Sequence, residues 1–304
     1  MPADSVSDVV SPFPVTDVTA WPVDSLEPGG KDEKVWLRAT DGLRWLFKPA
    51  VVRHGRRQGE DWAEKAASEL ARLISVPVAQ VEMATRAGTP GSISLDLAPG
   101  QDWELHPGAV LISEVDLDFV PQHRDRVGHN LVNVSQVLTG AGVPIEFAGP
   151  SDMTAFEVFC GFLVFDAWVA NRDRHEENWS VLRDPEGALT LAASYDHGSS
   201  LAFGDTDERR RKILAGNPPM EHWVSRGTAW RFEGGSATTL VDFASQSLQM
   251  VRPLAKDFWL EQLWTVDAAD VAGTIAATPE MSEVTGTFCV RLLELNRRRL
   301  LDAC

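Results

Sequence analysis

The sequence predicts an α+β protein of two lobes, a smaller one built on an antiparallel sheet and a larger, mainly helical one. Three observations predict it. Strand-like runs and turn signals crowd into residues 1–115, and runs with helical period dominate residues 116–304. A polar string and a hairpin interrupt the helical part between residues 171 and 198. A chain of 304 residues suits two domains or one bilobal unit, and its 44% hydrophobic and 24% charged residues are ordinary globular usage. That composition excludes a disordered chain, a collagen-like chain and a coiled-coil rod.

The elements follow in order. Residues 1–20 are rich in Pro, Asp and Val without helical period, and read as an irregular arm or an edge strand. The turn Glu27-Pro28-Gly29-Gly30 precedes a strand-like run, Val35 to Ala39. Arg44 to Lys48 returns as its partner across Thr40-Asp41-Gly42-Leu43, because Gly accepts the positive φ that a tight turn needs. Asp61 to Ile74 reads as a helix, with Asp61 as its cap, Trp62, Ala66, Leu70 and Leu73 at helical spacing, and Pro77 as its stop. Val78 to Ala84 and Val110 to Val115 are further strands, with a Gly/Pro-rich loop or hairpin over 86–109. Met153 to Ala170 is a strongly apolar helix, and 237–250, 254–265, 267–276 and 281–301 are helical in pattern.

Charge and cysteine use bound the function. Lys plus Arg number 28 and Asp plus Glu 44, a net charge of −16, which argues against general affinity for nucleic acid or anionic lipid. Cys160, Cys289 and Cys304 form no CxxC pair and read as reduced thiols. The first 30 residues hold five acids and no Lys or Arg, so no basic start of a signal peptide is seen. The longest apolar run, Phe159 to Phe165, is broken by Asp166 and is too short to span a bilayer. A cytoplasmic protein without a membrane partner is expected.

The informative string is Asn171-Arg172-Asp173-Arg174-His175-Glu176-Glu177-Asn178. A strand-like run from Trp179 follows it, then a turn at Asp184 to Gly187, a second strand, and Tyr195-Asp196-His197-Gly198. Phosphoryl transfer asks for oxygen ligands to Mg²⁺ and one carboxylate to hold the attacking hydroxyl. In protein kinases the loop Asp precedes a metal-binding Asn by five positions, and a second metal-binding Asp follows in an Asp-x-Gly. Asp173 and Asn178 have that spacing, and Asp196-His197-Gly198 is the downstream partner.

The same chemistry asks for parts upstream. A strand Lys should neutralise nucleotide phosphates and be held by a helix Glu. Lys48 ends its strand in the right place, and the helix offers Glu64 and Glu69, of which Glu64 is preferred. Gly29 and Gly30 form the one Gly-rich turn ahead of the Val35 strand that can cover phosphates. Strand 110–115 would bring the backbone of Glu114 and Val115 to the adenine edge at the junction of lobes 1–115 and 116–304.

These residues resemble the HipA-like kinases, a bacterial branch of the protein-kinase-like superfamily that shares the Asp-Arg-His-x-x-Asn loop with phosphoinositide lipid kinases. The resemblance runs from about residue 20 to about residue 265. It rests on Leu46-Phe47-Lys48-Pro49, on Trp62-Ala63-Glu64-Lys65 through Leu70-Ala71, on Asp173-Arg174-His175 with Asn178, and on Tyr195-Asp196-His197-Gly198. It implies a bilobal protein-kinase-like fold and a serine/threonine kinase using ATP and Mg²⁺. It further implies Asp173 as base, Asn178 and Asp196 as metal ligands, Lys48 as the nucleotide lysine with Glu64 behind it, and His175 as a loop-stabilising residue. HipA toxins carry an extra amino-terminal subdomain that contacts their antitoxin. These residues leave no room for one, so an antitoxin partner is not expected. Leu26 to Lys34 holds no Ser, so autophosphorylation within that loop is not expected either.

Other features are weaker. Arg53, Arg56 and Arg57 can reach an anion or form a solvated loop, and Glu208 to Lys212 can meet an acidic substrate or start a charged helix. The histidines lack zinc-site spacing, and Trp36, Trp45, Trp62, Trp168 and Trp179 fall in core-like patterns. The acceptor hydroxyl stays open between a protein and a small molecule or lipid. A non-catalytic module that holds a nucleotide or a partner is the third reading. Its usual mark, loss of the base, lysine or metal ligands, is not seen here.

Overall fold

A computed structural model describes residues 11–26 and 34–304. The first lobe is a six-stranded sheet. Its strands are β1 (Val15–Asp17), β2 (Val23–Leu26), β3 (Val35–Arg38) and β4 (Arg44–Pro49), then, after a small ladder of β5 (Val52–Arg53) with β6 (Arg56–Arg57) and helix α1 (Glu60–Leu73), β7 (Val81–Arg86) and β8 (Thr89–Leu95). Their order is β1-β7-β8-β4-β3-β2. All pairings in it are antiparallel except β1 with β7. The arm thus supplies the edge strand, and β2 is an added strand not foreseen.

The β3–β4 hairpin turns as its sequence requires. Gly42 sits at φ +87°, and the Asp41 carboxylate accepts the Leu43 N–H at 2.9 Å. One face of the sheet buries Val35, Leu37, Trp45, Phe47 and Ile93 in a core of its own. The pleat then turns Lys48, the next residue after Phe47, to the opposite face.

Helix α1 begins one residue earlier than expected and is capped by Gly59, not Asp61. Two contacts override the expected cap. The Trp62 indole lies so close over Gly59 that a Cβ there would sit 2.2 Å from the ring, and the Asp61 carboxylate is taken by Arg57. The helix packs on β7 and β8 on one side and on a helix of the second lobe on the other, so Asp61 to Ser68 are all buried.

The second lobe follows as β9 (Glu104–Pro107), α2 (Gly108–Val115), α3 (Leu131–Val137), α4 (Ala155–Val169), β10 (Ser180–Arg183), β11 (Leu189–Leu191), α5 (Asp207–Leu214), α6 (Met220–Val224), α7 (Leu240–Leu248), α8 (Pro253–Thr265), α9 (Ala268–Ala277) and α10 (Glu283–Ala303). Strands β11, β10 and β9 form a separate antiparallel sheet. All fifteen residues of α4 are buried, as a helix apolar on every side must be. Its start is fixed by a capping box in which the Glu157 N–H donates to the Thr154 hydroxyl and the Thr154 N–H donates to the Glu157 carboxylate at 2.8 Å. One apolar core joins α4 to α1, α2, α3, α7 and α8. No helix among the described residues is long and apolar enough to cross a membrane.

One expected strand is a helix. Residues 110–115 lie in α2, where Ala109 and Ile112, three apart, both bury in the main core, and Gly108 lets the Trp179 indole pack against the chain. An apolar run this short fits either period, and tertiary packing chose. The chain leaves the first sheet after Leu95 and enters the second at Glu104, so it passes between the lobes before Glu114 and Val115 rather than at them.

Candidate active site

A cleft of about 340 Å³ opens between the lobes, and Lys34, Lys48, Glu64, Ser92, Asp173 and Asp196 line it. Strand β4 supplies Lys48, and its Nζ donates to Asp196 Oδ1 at 2.8 Å and lies 3.6 Å from Glu64 Oε2. Helix α1 supplies Glu64 from its second turn, and its Oε1 accepts the His197 N–H at 2.9 Å. Glu69, the alternative, pairs instead with Lys65 and Arg72. Gly198 lets this segment lie close on α1: a Cβ there would meet the Glu60 carbonyl at 3.1 Å and the Glu64 carboxylate at 3.2 Å, and the helix side would have to give by a few tenths of an ångström.

The charges are mutually set. Burial pushes the Lys48 ammonium down, but Asp196 and Glu64 together outweigh it and raise it above its ordinary value. Lys48 holds the Asp196 carboxyl well below the usual range, with Lys34 adding to the effect. Burial raises Glu64, and the negative charge of Asp196 raises it further. Asp196 itself has φ +59°, a left-handed conformation that Asp tolerates better than most residues.

Asp173 stands on the loop after α4. The helix ends on Ala170 in the left-handed conformation, and Asn171 then bridges the turn by donating to Asp166 Oδ1 at 2.8 Å and accepting the Asp173 N–H at 3.1 Å. Arg174 lies buried beneath. It grips both oxygens of Asp166 and donates to the Asn178 carbonyl at 2.9 Å and to the Ser194 hydroxyl at 2.8 Å. His175 is half-buried, and its Nδ1 accepts the Glu177 N–H at 3.2 Å while burial pushes its pKa down. It braces the loop as a neutral ring.

The Asp173 carboxylate is held from outside its own loop. Arg231 Nε donates to Oδ1 at 2.6 Å, and the Ser199 hydroxyl lies 3.4 Å from Oδ2. The Arg231 guanidinium stacks on Trp230 at 3.9 Å. Its carbonyl is fixed by His129, whose Nδ1 donates to it at 2.7 Å while Nε2 accepts the Trp179 indole N–H at 3.2 Å. Glu233 closes the same segment onto Gly128 and Asn130.

Asp196 and Asn178 each keep an oxygen that could serve a divalent cation, but only Asp196 is among the residues lining the cleft. Among the described residues no donor reaches Asp196 Oδ2. The Asn178 amide nitrogen donates to the Asp173 carbonyl at 2.7 Å, which leaves its amide oxygen unpartnered. A carboxylate oxygen such as that of Asp196 suits Mg²⁺, which takes one or two protein ligands and completes its shell with phosphate and water. No group of three or more His, Cys, Asp or Glu among the described residues is arranged as a metal cage.

The structure therefore gathers Lys48, Glu64, Asp173 and Asp196 at one cleft, with Asn178 and His175 tied to the Asp173 loop. Glu114 and Val115, in the last turn of α2, are not among the residues lining the cleft, because the strand that was to carry them there is a helix. Gly29 and Gly30 fall outside the described residues. Sequence reading missed Lys34, Asp166, Arg174, Ser199 and Arg231. For Asp166 a signal existed, since a carboxylate inside an apolar helix needs a buried partner. Nothing local marked Arg231, 58 residues beyond Asp173. Arg56 and Arg57 prove to be staples, Arg56 to the carbonyls of Gly204 and Asp205 and Arg57 to Asp61 and Glu280.

A sheet lobe carrying a lysine, a helix glutamate behind it and an acidic loop on a helical lobe define the protein-kinase-like fold. The solved kinase CtkA of Helicobacter pylori has this fold: it superimposes with a TM-score of 0.73 over 95% of this chain and 96% of its own, at 18% identity. HipA, in the Shewanella oneidensis MR-1 complex of HipA, HipB and operator DNA, aligns with a TM-score of 0.49 over 100% of this chain and 67% of its own, at 15% identity. The fold expected from the resemblance to HipA-like kinases is the fold observed. No protein-family model and no curated protein matches the chain by sequence.

Proposed function

We propose that this protein is a kinase-type phosphotransferase that moves the γ-phosphoryl group of ATP to a hydroxyl acceptor. The observation that carries the proposal is the pairing of Lys48 with Asp196 at 2.8 Å across the cleft that Asp173 also lines. Lys48, backed by Glu64, neutralises nucleotide phosphates. Asp173 accepts a hydrogen bond from the acceptor hydroxyl and takes its proton as the bond to phosphorus forms. Arg174 and Asn171 hold the loop rigid beneath it, and His175 braces it. Asn178 and Asp196 would hold Mg²⁺, which would supply positive charge against the charge of the nucleotide phosphates. The turn at Gly29 and Gly30 covers the phosphates in this reading. Ser or Thr of a protein is the acceptor favoured by the resemblance.

Calorimetric titration with Mg·ATP, followed by transfer from labelled ATP, tests this. Asp173→Ala should bind nucleotide within about threefold of wild type and lose at least about a thousandfold in transfer rate, the scale of a missing base with lost positioning. Undiminished transfer by that variant would defeat the assignment of Asp173, and absence of Mg·ATP binding by the wild type would defeat the whole reading.

A further inference from the structure

We infer that a second cavity, adjoining the cleft at Ser199 and Phe203, receives the acceptor and selects one that carries an anionic group beside its hydroxyl. This rests on the phosphotransferase reading and adds the substrate class. The cavity measures about 390 Å³. Ser199 and Phe203 line both it and the cleft, so the two spaces share a wall. Ser199 touches Asp173, and Arg172, which also lines the cavity, precedes Asp173 in the chain. Asp173 itself lines the cleft, and Ser199, the residue that meets its carboxylate, also faces this cavity.

Its charge runs against that of the molecule. The chain carries a net −16, yet Arg172, Arg209, Arg226 and Arg299 converge here against the single carboxylate of Asp205. Arg209 is held by Asp205 at 3.1 Å, and Arg299 donates to Asn296 at 3.1 Å. Among the described residues the Arg172 and Arg226 side chains have neither ion pair nor hydrogen bond. Gathered guanidiniums repel one another, and an arriving carboxylate or phosphate relieves that repulsion with forked hydrogen bonds. Val224 and Leu240 add an apolar wall against which the rest of the acceptor can lie.

Binding, rather than turnover, is the test. Fluorescent serine peptides flanked by glutamate, by phosphoserine or by glutamine are titrated into the full chain by anisotropy, and Mg·ATP is titrated calorimetrically into the same preparations. The anionic peptides should bind at least tenfold tighter than the glutamine peptide. The exposed pair Arg209→Gln with Arg226→Gln should abolish that preference while thermal midpoint and Mg·ATP affinity stay unchanged. Tighter binding of the phosphoserine peptide than the glutamate one identifies phosphate as the group, and the reverse order identifies carboxylate. Equal binding of all three peptides by the wild type, or an undiminished preference in the variant, overturns the inference. Anion-selective binding without any phosphoryl transfer would instead overturn the kinase reading and leave the anion site standing.

Discussion

Asp173 owes its orientation to side chains that its own loop does not contain. Arg231 and Ser199 reach it from later segments, and the Trp230 ring holds the guanidinium in place. A carboxylate freed from that grip samples other rotamers, and misplacing a reacting group by about 1 Å costs on the order of a hundredfold. Arg231→Ala should accordingly lower the transfer rate tenfold to a hundredfold with Mg·ATP affinity unchanged, read by single-turnover kinetics beside calorimetry. A faster variant would mean that Arg231 blocks the base instead. The buried pair of Asp166 and Arg174 makes a different demand. Removing Asp166 strands a buried guanidinium, so Asp166→Ala should destabilise the fold by about 3–5 kcal/mol in urea titrations, where Asp173→Ala should change it by under about 1 kcal/mol.

At the scale of elements, the segment carrying Arg231 is docked by a histidine that must be neutral. The Trp179 indole can only donate, so His129 Nε2 must accept, and the ring proton sits on Nδ1 toward the Arg231 carbonyl. Burial accordingly pulls His129 down to about 4. An unfolded chain takes up that proton near pH 6.5, the folded one only near 4. The stability His129 contributes is therefore complete above pH 6.5 and is lost as pH falls toward 4, up to about 3 kcal/mol at about 1.4 kcal/mol per tenfold. Thermal midpoints should fall across that window in the wild type and fall less steeply in His129→Gln. An unchanged slope between pH 6.5 and 5, above most carboxyl titrations, would remove His129 from this role. The cap of α4 titrates lower. Arg252 holds the Glu157 carboxyl at about 2, so its contribution is present above pH 4.5 and lost below. Helix α2 shows the opposite limit of local reading, since Trp179 and the main core, both distant in sequence, turned an apolar run into a helix.

Across the whole molecule, the two lobes meet through a few charges and one shared core. Lys48 of the sheet lobe reaches Asp196 of the helical lobe, and α1 belongs to the same apolar core as α4. A nucleotide bound between them stabilises the folded chain by mass action, about 2.7 kcal/mol at a hundredfold excess over its dissociation constant. Saturating Mg·ATP should raise the thermal midpoint of the wild type, and Asp196→Ala should lose most of that rise. An equal rise in both would show that Asp196 takes no part in nucleotide binding. The sequence by itself determined the hairpin that presents Lys48, the helix that presents Glu64 and the loop that presents Asp173 and Asn178. Each is written in short-range signals: an Asp-Gly turn, a 3.6-residue period, a five-residue spacing. Tertiary structure alone decided that Gly59 and not Asp61 caps α1, that residues 110–115 are helical, that Arg231 and Ser199 reach Asp173, and that four arginines line one cavity. Those outcomes depend on which distant side chains fill the same space, and packing between remote segments leaves no mark on the neighbouring residues of either.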